Sequence, residues 1–295
     1  MLFLIVINIS GRSVYLVHNF DVNSIVDSLY TTGQYDKCKN QILTSKIHSF
    51  SDTIEVIEKL ASCYSYLHRA DSAIILLDYL HTTAPENLDI GISYNHIYFH
   101  DLIVDNRMSK YDSIMKVVYI RDNIGKNTIL GIELLDIIRK DQEPRCIQEY
   151  VQKIKTTGGN TDIKIDSMFW SKMKISDEQN MEHVAAIIHK YGYPGFSMVG
   201  GIPCYGAQIV IRHSDLKYKI EFLPIMKSAA EKGELDGGSV EALEDRILVD
   251  QGKKQLYATQ YCLDSITKKF ALCPIEDPDK LQDRLHKAEL LYPVR

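Results

Sequence analysis

The stretch IEKLASCYSYLHRADSAIILLDYLHTTAP constrains this chain more than any other. Its apolar residues recur every three to four positions on both sides of a short polar break, the period of two consecutive amphipathic helices. Small residues at Ala61 and Ala73 let the two helices approach closely, and Tyr64 and Leu77 fill the space between them. A segment patterned in this way folds as an antiparallel helical hairpin.

With Leu60 and the closing Pro85, these positions resemble a tetratricopeptide repeat. The preceding segment, DVNSIVDSLYTTGQYDKCKNQIL, resembles it more loosely, with Gly33-x-Tyr35 at the break and Cys38 where alanine is expected. A third pair is expected between Leu88 and Ile120. Arrays of this kind bind peptides or pack on a neighbouring domain, and so short an array suits packing.

Ahead of the repeats, MLFLIVINISGRSVYL carries an apolar run too short to span a membrane. Gly11-Arg12-Ser13 has the small-x-small pattern of a signal-peptidase site, although no basic segment precedes Leu2. Residues 1–13 are therefore read as the remnant of a secretory signal or as a buried first strand or helix, with export favoured slightly over the cytoplasm. The formal net charge of -5 gives no footprint for nucleic acid or an anionic membrane. Six cysteines without a CxxC pair argue against a zinc ribbon or a redox motif. Cys262 and Cys273 flank an expected hairpin and could pair in an oxidising compartment, but two partly buried thiols are the preferred reading.

Beyond Gly125 the pattern stays helical. A break is expected near Pro144, a surface loop at TTGGNTD, and a helix over Asp177–Tyr191 that stops at Gly192-Tyr193-Pro194-Gly195. Helices are also expected over Ala207–Gly233 and Ser239–Val249, the latter capped by Ser239. QLYATQY and KKFALCPI have strand composition and should pair, and DPDKLQDRLHKAELLYP should close the chain as a helix. The expected fold class is mostly α: helical-repeat hairpins over 14–125, then a C-terminal α+β domain over 126–295, mainly helical with a small β-hairpin.

Several residues could carry chemistry, each with a plainer alternative. His96 and His100, four apart, have a spacing that zinc sites use, but Ile97 stands where a metalloprotease has its glutamate and no third ligand is evident. Gly200-Gly201 serve backbone geometry rather than a phosphate loop. Cys204 could be a nucleophile with His213 as its base, though nothing suggests a lowered thiol pKa. His213, in the apolar run AQIVIRHSD, could be a general acid or base; a hydrogen-bonded core histidine is the plainer alternative. Asp141, Gln142 and Arg145 in DQEPR form either a helix-surface pair or a site for a carboxylate or amide. No metal or cofactor is expected.

Taken in order, DQEPR (141–145), DEQN (177–180), YGYPG (191–195), VGG (199–201), IRHSD (211–215), EDRILVDQGKKQLYATQ (244–260) and PIED (274–277) resemble an uncharacterised bacterial family, domain of unknown function 6624, over about residues 135–292. The family typically has Tyr-Gly-Thr-Gln where this chain has Tyr257-Ala258-Thr259-Gln260, so no positive φ is expected at Ala258. No activity comes with the resemblance. It implies a shared polar set: His213 as the proton-transferring group, with Asp141, Gln142, Arg145, Asn180, Asp245, Arg246, Gln255, Tyr257 and Gln260 as ligand-binding residues. Such a set would line a pocket for a small molecule or peptide, possessed of acyl or amide chemistry. The alternative is a non-enzymatic scaffold, whose repeats bind a protein partner and whose polar residues form an internal network. Neither nucleic acid nor a membrane-spanning segment is expected.

Overall fold

A computed structural model describes residues 5–9, 12–16, 22–31, 33–44, 50–67, 69–83, 109–156, 164–263 and 270–292. The chain divides into two compact units, one of residues 1–122 and 145–161, the other of 123–144 and 162–295. Most of the described chain is helical, as the periodicity leads one to expect.

In the first unit, β1 (Ile5–Ile9) and β2 (Arg12–Leu16) form an antiparallel hairpin. Four helices follow: α1 (Val22–Thr31), α2 (Tyr35–Thr44), α3 (Phe50–Tyr66) and α4 (Ala70–Thr83). Each packs on the next in chain order, the arrangement of successive helical hairpins. Leu60, Ala61, Tyr64, Ala73 and Leu77 are all buried between α3 and α4 with Ile57 and Leu80, the role their spacing assigns them. Gly33 turns the chain between α1 and α2 at φ 72°, and the Tyr35 ring stacks on Tyr66 at 4.1 Å. α5 (Ser109–Asp122) follows, and the earlier part of the segment where a third pair is expected lies outside the described residues. Residues 84–108, with His96 and His100, lie outside the described residues, as does most of TTGGNTD.

The second unit is built on α6 (Thr128–Thr156), α7 (Ser167–Tyr191), the single turn α8 (Phe196–Val199), α9 (Gly201–His213), α10 (Leu216–Glu231) and α11 (Gly237–Asp250). The strands β3 (Tyr261–Leu263) and β4 (Phe270–Leu272) pair antiparallel, and a 3₁₀ turn (Pro278–Lys280) leads into α12 (Leu281–Leu291). Its core joins Leu134 and Ile137 of α6, Met181, Val184 and Ile188 of α7, Ala207 and Val210 of α9, Phe222 and Met226 of α10, and Val240 and Leu243 of α11. α6 and α9 touch closely because Gly206 has no side chain: a Cβ there would stand 3.2 Å from the Leu134 carbonyl oxygen. No described helix is long and apolar enough to cross a membrane.

Five expectations need correction. α6 continues through Pro144; the carbonyl that loses its donor belongs to Lys140, an exposed residue. α7 begins at Ser167 rather than Asp177, since the Asp166 carboxylate accepts from the amides of Met168 and Phe169. The expected helix over Ala207–Gly233 is two, broken where the Ser214 hydroxyl donates to the Ile211 carbonyl at 2.7 Å. Asp236, not Ser239, caps α11, and it accepts both the amide and the hydroxyl of Ser239. Cys262 of β3 and Cys273, just past the end of β4, are joined by a disulfide, with Cα atoms 5.0 Å apart.

Candidate functional site

Asp141 and His213 are brought together by two parallel helices in register. Gly206 packs on Leu134 and, 72 residues apart like that pair, His213 meets Asp141 one heptad further along. The Asp141 side chain is 0% exposed and that of His213 21%. His213 Nδ1 lies 2.8 Å from Oδ2 of Asp141 and 3.1 Å from Oδ1. A buried carboxylate only accepts, so Nδ1 carries the proton and Nε2 is left as the ring's basic nitrogen. The Gln142 amide donates to the same Oδ2 at 2.6 Å, giving the carboxylate a second fixed contact. Nε2 itself has no hydrogen-bond partner among the described residues.

Asn180 occupies the buried face of α7, 5% exposed, one turn before Val184. Its Nδ2 finds no acceptor among the described residues. Arg145 begins the part of α6 that belongs to the first unit, whereas Asp141 and Gln142 belong to the second.

Asp245, Gln255 and Gln260 form a separate clamp on one loop. Asp245, fully buried in α11, accepts from the amides of Leu256 (2.6 Å), Tyr257 (3.0 Å) and Thr259 (3.1 Å) and from the Thr259 hydroxyl (2.9 Å). Gln255, also fully buried, donates to the carbonyls of Gln260 and Cys273 and accepts from the Gln260 amide. Gln260 in turn donates to the carbonyl of Ala242. Three amides turned toward one carboxylate cannot also pair in a ladder, so residues 256–260 are a loop and the expected strand shrinks to Tyr261–Leu263. Closing that loop puts Ala258 at φ 62°, which corrects the expectation of an ordinary backbone there.

Tyr257 packs on the core, and burial, with Glu244 beside its hydroxyl, pushes its pKa up to about 12. Arg246 is exposed and paired with Asp250 at 3.2 Å, a carboxylate whose other oxygen meets the buried Lys219 at 2.5 Å. Cys204 is buried, its thiol donates to the Gly201 carbonyl at 2.8 Å, and burial raises its pKa, so the conditions for a nucleophilic thiolate are missing. Gly200 stands at φ 84° with Asn123 against its α-carbon, a backbone role as expected. Among the described residues no group of three or more His, Cys, Asp or Glu side chains could hold a metal ion.

Sequence reasoning missed Arg284. Its guanidinium reaches from α12 to the carbonyl oxygens of Leu256 (3.0 Å) and Glu276 (2.5 Å), holding the same loop from the other side. Within DRLHK it looks like any solvent-facing cation of an amphipathic helix, and nothing local marks it.

No curated protein and no solved structure matches the chain. A family profile covers residues 132–294, from α6 to the end of α12, and so takes in both the Asp141–His213 pair and the clamped loop. The chain therefore belongs to the family of unknown function DUF6624.

Proposed function

We propose that the second unit is an enzyme that moves a proton through His213 on a small or peptidyl substrate. The observation that carries this reading is the pairing of a fully buried Asp141 with the partly exposed His213. The carboxylate fixes the tautomer and the ring plane, and it stabilises the imidazolium that forms when Nε2 takes a proton. Nε2 would draw that proton from water as the oxygen attacks an acyl carbon, then return it to the departing amine or alcohol. No thiol or hydroxyl nucleophile is assigned, so water is the attacking group. Gln142 holds the carboxylate, and the ligand-binding role of the set narrows to residues around this pair.

A second reading attaches to Asp245, Gln255 and Gln260. Their hydrogen-bonding groups are spent on the loop 255–260, which supports the internal network of a scaffold protein for this part of the set. On that reading the helical hairpins of the first unit offer the surface for a protein partner.

The test is a panel of aminoacyl and peptidyl esters and amides, with wild type, His213→Gln and Asp141→Asn compared across pH. General-base catalysis predicts a loss of about 100- to 10,000-fold in kcat/KM for His213→Gln with helicity retained. Turnover that survives His213→Gln refutes the proposal. So does a panel without turnover in which no member moves the His213 Nε2 resonance.

A further inference from the structure

We propose that the Cys262–Cys273 disulfide is a redox latch: while it is closed, Gln260 is held on α11 with the help of Gln255, and a dithiol reductant opens it and frees that half of the clamped loop. The inference goes beyond the reading of His213 and does not depend on it.

The first observation is where the bond lies. β3 and β4 form a two-stranded sheet, with no third strand beside either among the described residues. Cys262 stands opposite Ala271, and Cys273 lies two residues past Ala271, so both cysteines are on one face. Tyr261 and Leu263, on the other face, are 66% and 55% exposed. Cys262 between them is partly exposed, whereas Cys273 is buried. The accessible sulfur is therefore Sγ of Cys262. A thiolate of the dithiol attacks that sulfur, the S–S bond breaks, and its electron pair leaves with Sγ of Cys273. The second thiol of the reductant then attacks its own sulfur in the mixed disulfide and releases Cys262. The dithiol ends as a disulfide, and its two protons end on Cys262 and Cys273. The other four cysteines are free and buried, so the reductant has this bond alone to act on.

The second observation is what the bond holds. Strands of three residues each are short for keeping their own register. Cys273 donates its amide to the Gln260 carbonyl at 3.0 Å, and its own carbonyl accepts from Gln255 Nε2 at 2.8 Å. Gln255 is fully buried, and its Oε1 accepts the Gln260 amide at 2.8 Å. Gln260 in turn reaches the Ala242 carbonyl of α11 at 3.2 Å. When Cys273 moves away, Gln260 loses one partner directly. The buried Gln255 amide that grips it loses an acceptor, which weakens the second partner too.

Opening stops at Pro274. There the Gln255 amide donates to the Pro274 carbonyl, the Glu276 amide donates back to Gln255, and Arg284 holds Glu276. Asp245 holds Leu256 and Tyr257 without any part of the hairpin. The bond joins cysteines with a sequence separation of 11, and closing a loop of that length shifts the balance between closed and open chain by about 100-fold.

The experiment uses the full chain with and without dithiothreitol under native conditions, followed by hydrogen exchange and by mass-spectrometric counting of thiols. Dithiothreitol should add two thiols without loss of helicity. The amides of Gln260 and Cys273 should then exchange about 10- to 100-fold faster. Those of Leu256 and Tyr257 should stay within roughly threefold, and reoxidation should restore the slow rates. Cys262→Ser should match the reduced wild type. A bond that yields to the reductant only when the second unit unfolds is a structural staple, and that result overturns the proposal. So does reduction that leaves Gln260 and Cys273 exchanging as before, or a quickening spread equally over Leu256 and Tyr257. The wild-type comparison decides the matter even where the variant fails to fold.

Discussion

Replacing Asp245 by alanine tests how the second unit holds its loop. The carboxylate is fully buried and serves four donors: the amides of Leu256, Tyr257 and Thr259 and the Thr259 hydroxyl. A hydrogen bond to a charged group contributes about 1.5–3 kcal/mol, and a buried donor left without an acceptor costs about 1–3 kcal/mol. These contributions do not add fully, because Leu256, Tyr257 and Thr259 are only half-buried and water would satisfy part of what is lost. A net loss of about 3–5 kcal/mol follows. Asp245→Asn keeps one acceptor oxygen but aims an NH2 at donors, and should cost about 2 kcal/mol or more. Because the chain has two units, a single unfolding curve is a poor readout. Hydrogen exchange at the amides of 256, 257 and 259 reports the clamp directly. In Asp245→Ala it should quicken roughly 100-fold or more, with the amides of α7 unaffected. Exchange within threefold of wild type at those positions would refute the argument that Asp245 shapes the loop.

Two further perturbations probe the same region. Ala258→Gly removes a Cβ from a residue at φ 62° and should raise the stability of the second unit by about 0.5–1 kcal/mol, read as an upward shift in urea midpoint; a lower midpoint would mean that the positive φ carries no strain. Glu241 has its pKa raised by burial and then by Asp245, Asp236, Glu244 and Glu289. Because the folded state holds this proton more tightly, the associated stability is full below the unfolded pKa and is lost as pH rises through the folded one. Glu241→Gln should therefore raise Tm at pH 7 and leave it unchanged near pH 3; an equal effect at both would sink the argument.

The helical framework was legible because burial follows period: Leu60, Ala61, Tyr64, Ala73 and Leu77 lie where their spacing puts them. What escaped the sequence is set by groups distant along the chain. QLYATQY alternates like a strand, but Asp245, eleven residues before Leu256, takes the amides that a ladder would need. His213 and Asp141 are 72 residues apart, and no local pattern links them; only the family's ordered motifs set them side by side. Arg284 escaped altogether, since its partners are backbone carbonyls and carbonyls leave no mark in a sequence. Pro144 misled because a proline ends a helix only where the orphaned carbonyl has no other partner.

The loop 256–260 is held from outside, by Asp245, Gln255, the disulfide-linked Cys273 and Arg284, nearly all through its backbone. Its shape is therefore separated from the identity of the Leu256 side chain, although not from Thr259, whose hydroxyl joins the clamp, or Tyr257, which packs on the core. Leu256 contributes an amide and a carbonyl to the clamp, which any residue but proline can supply. The loop is in this sense a rigid mount with an interchangeable face. The side chain at 256 can change while the frame stays the same, so diversity at that position should come at little cost in stability.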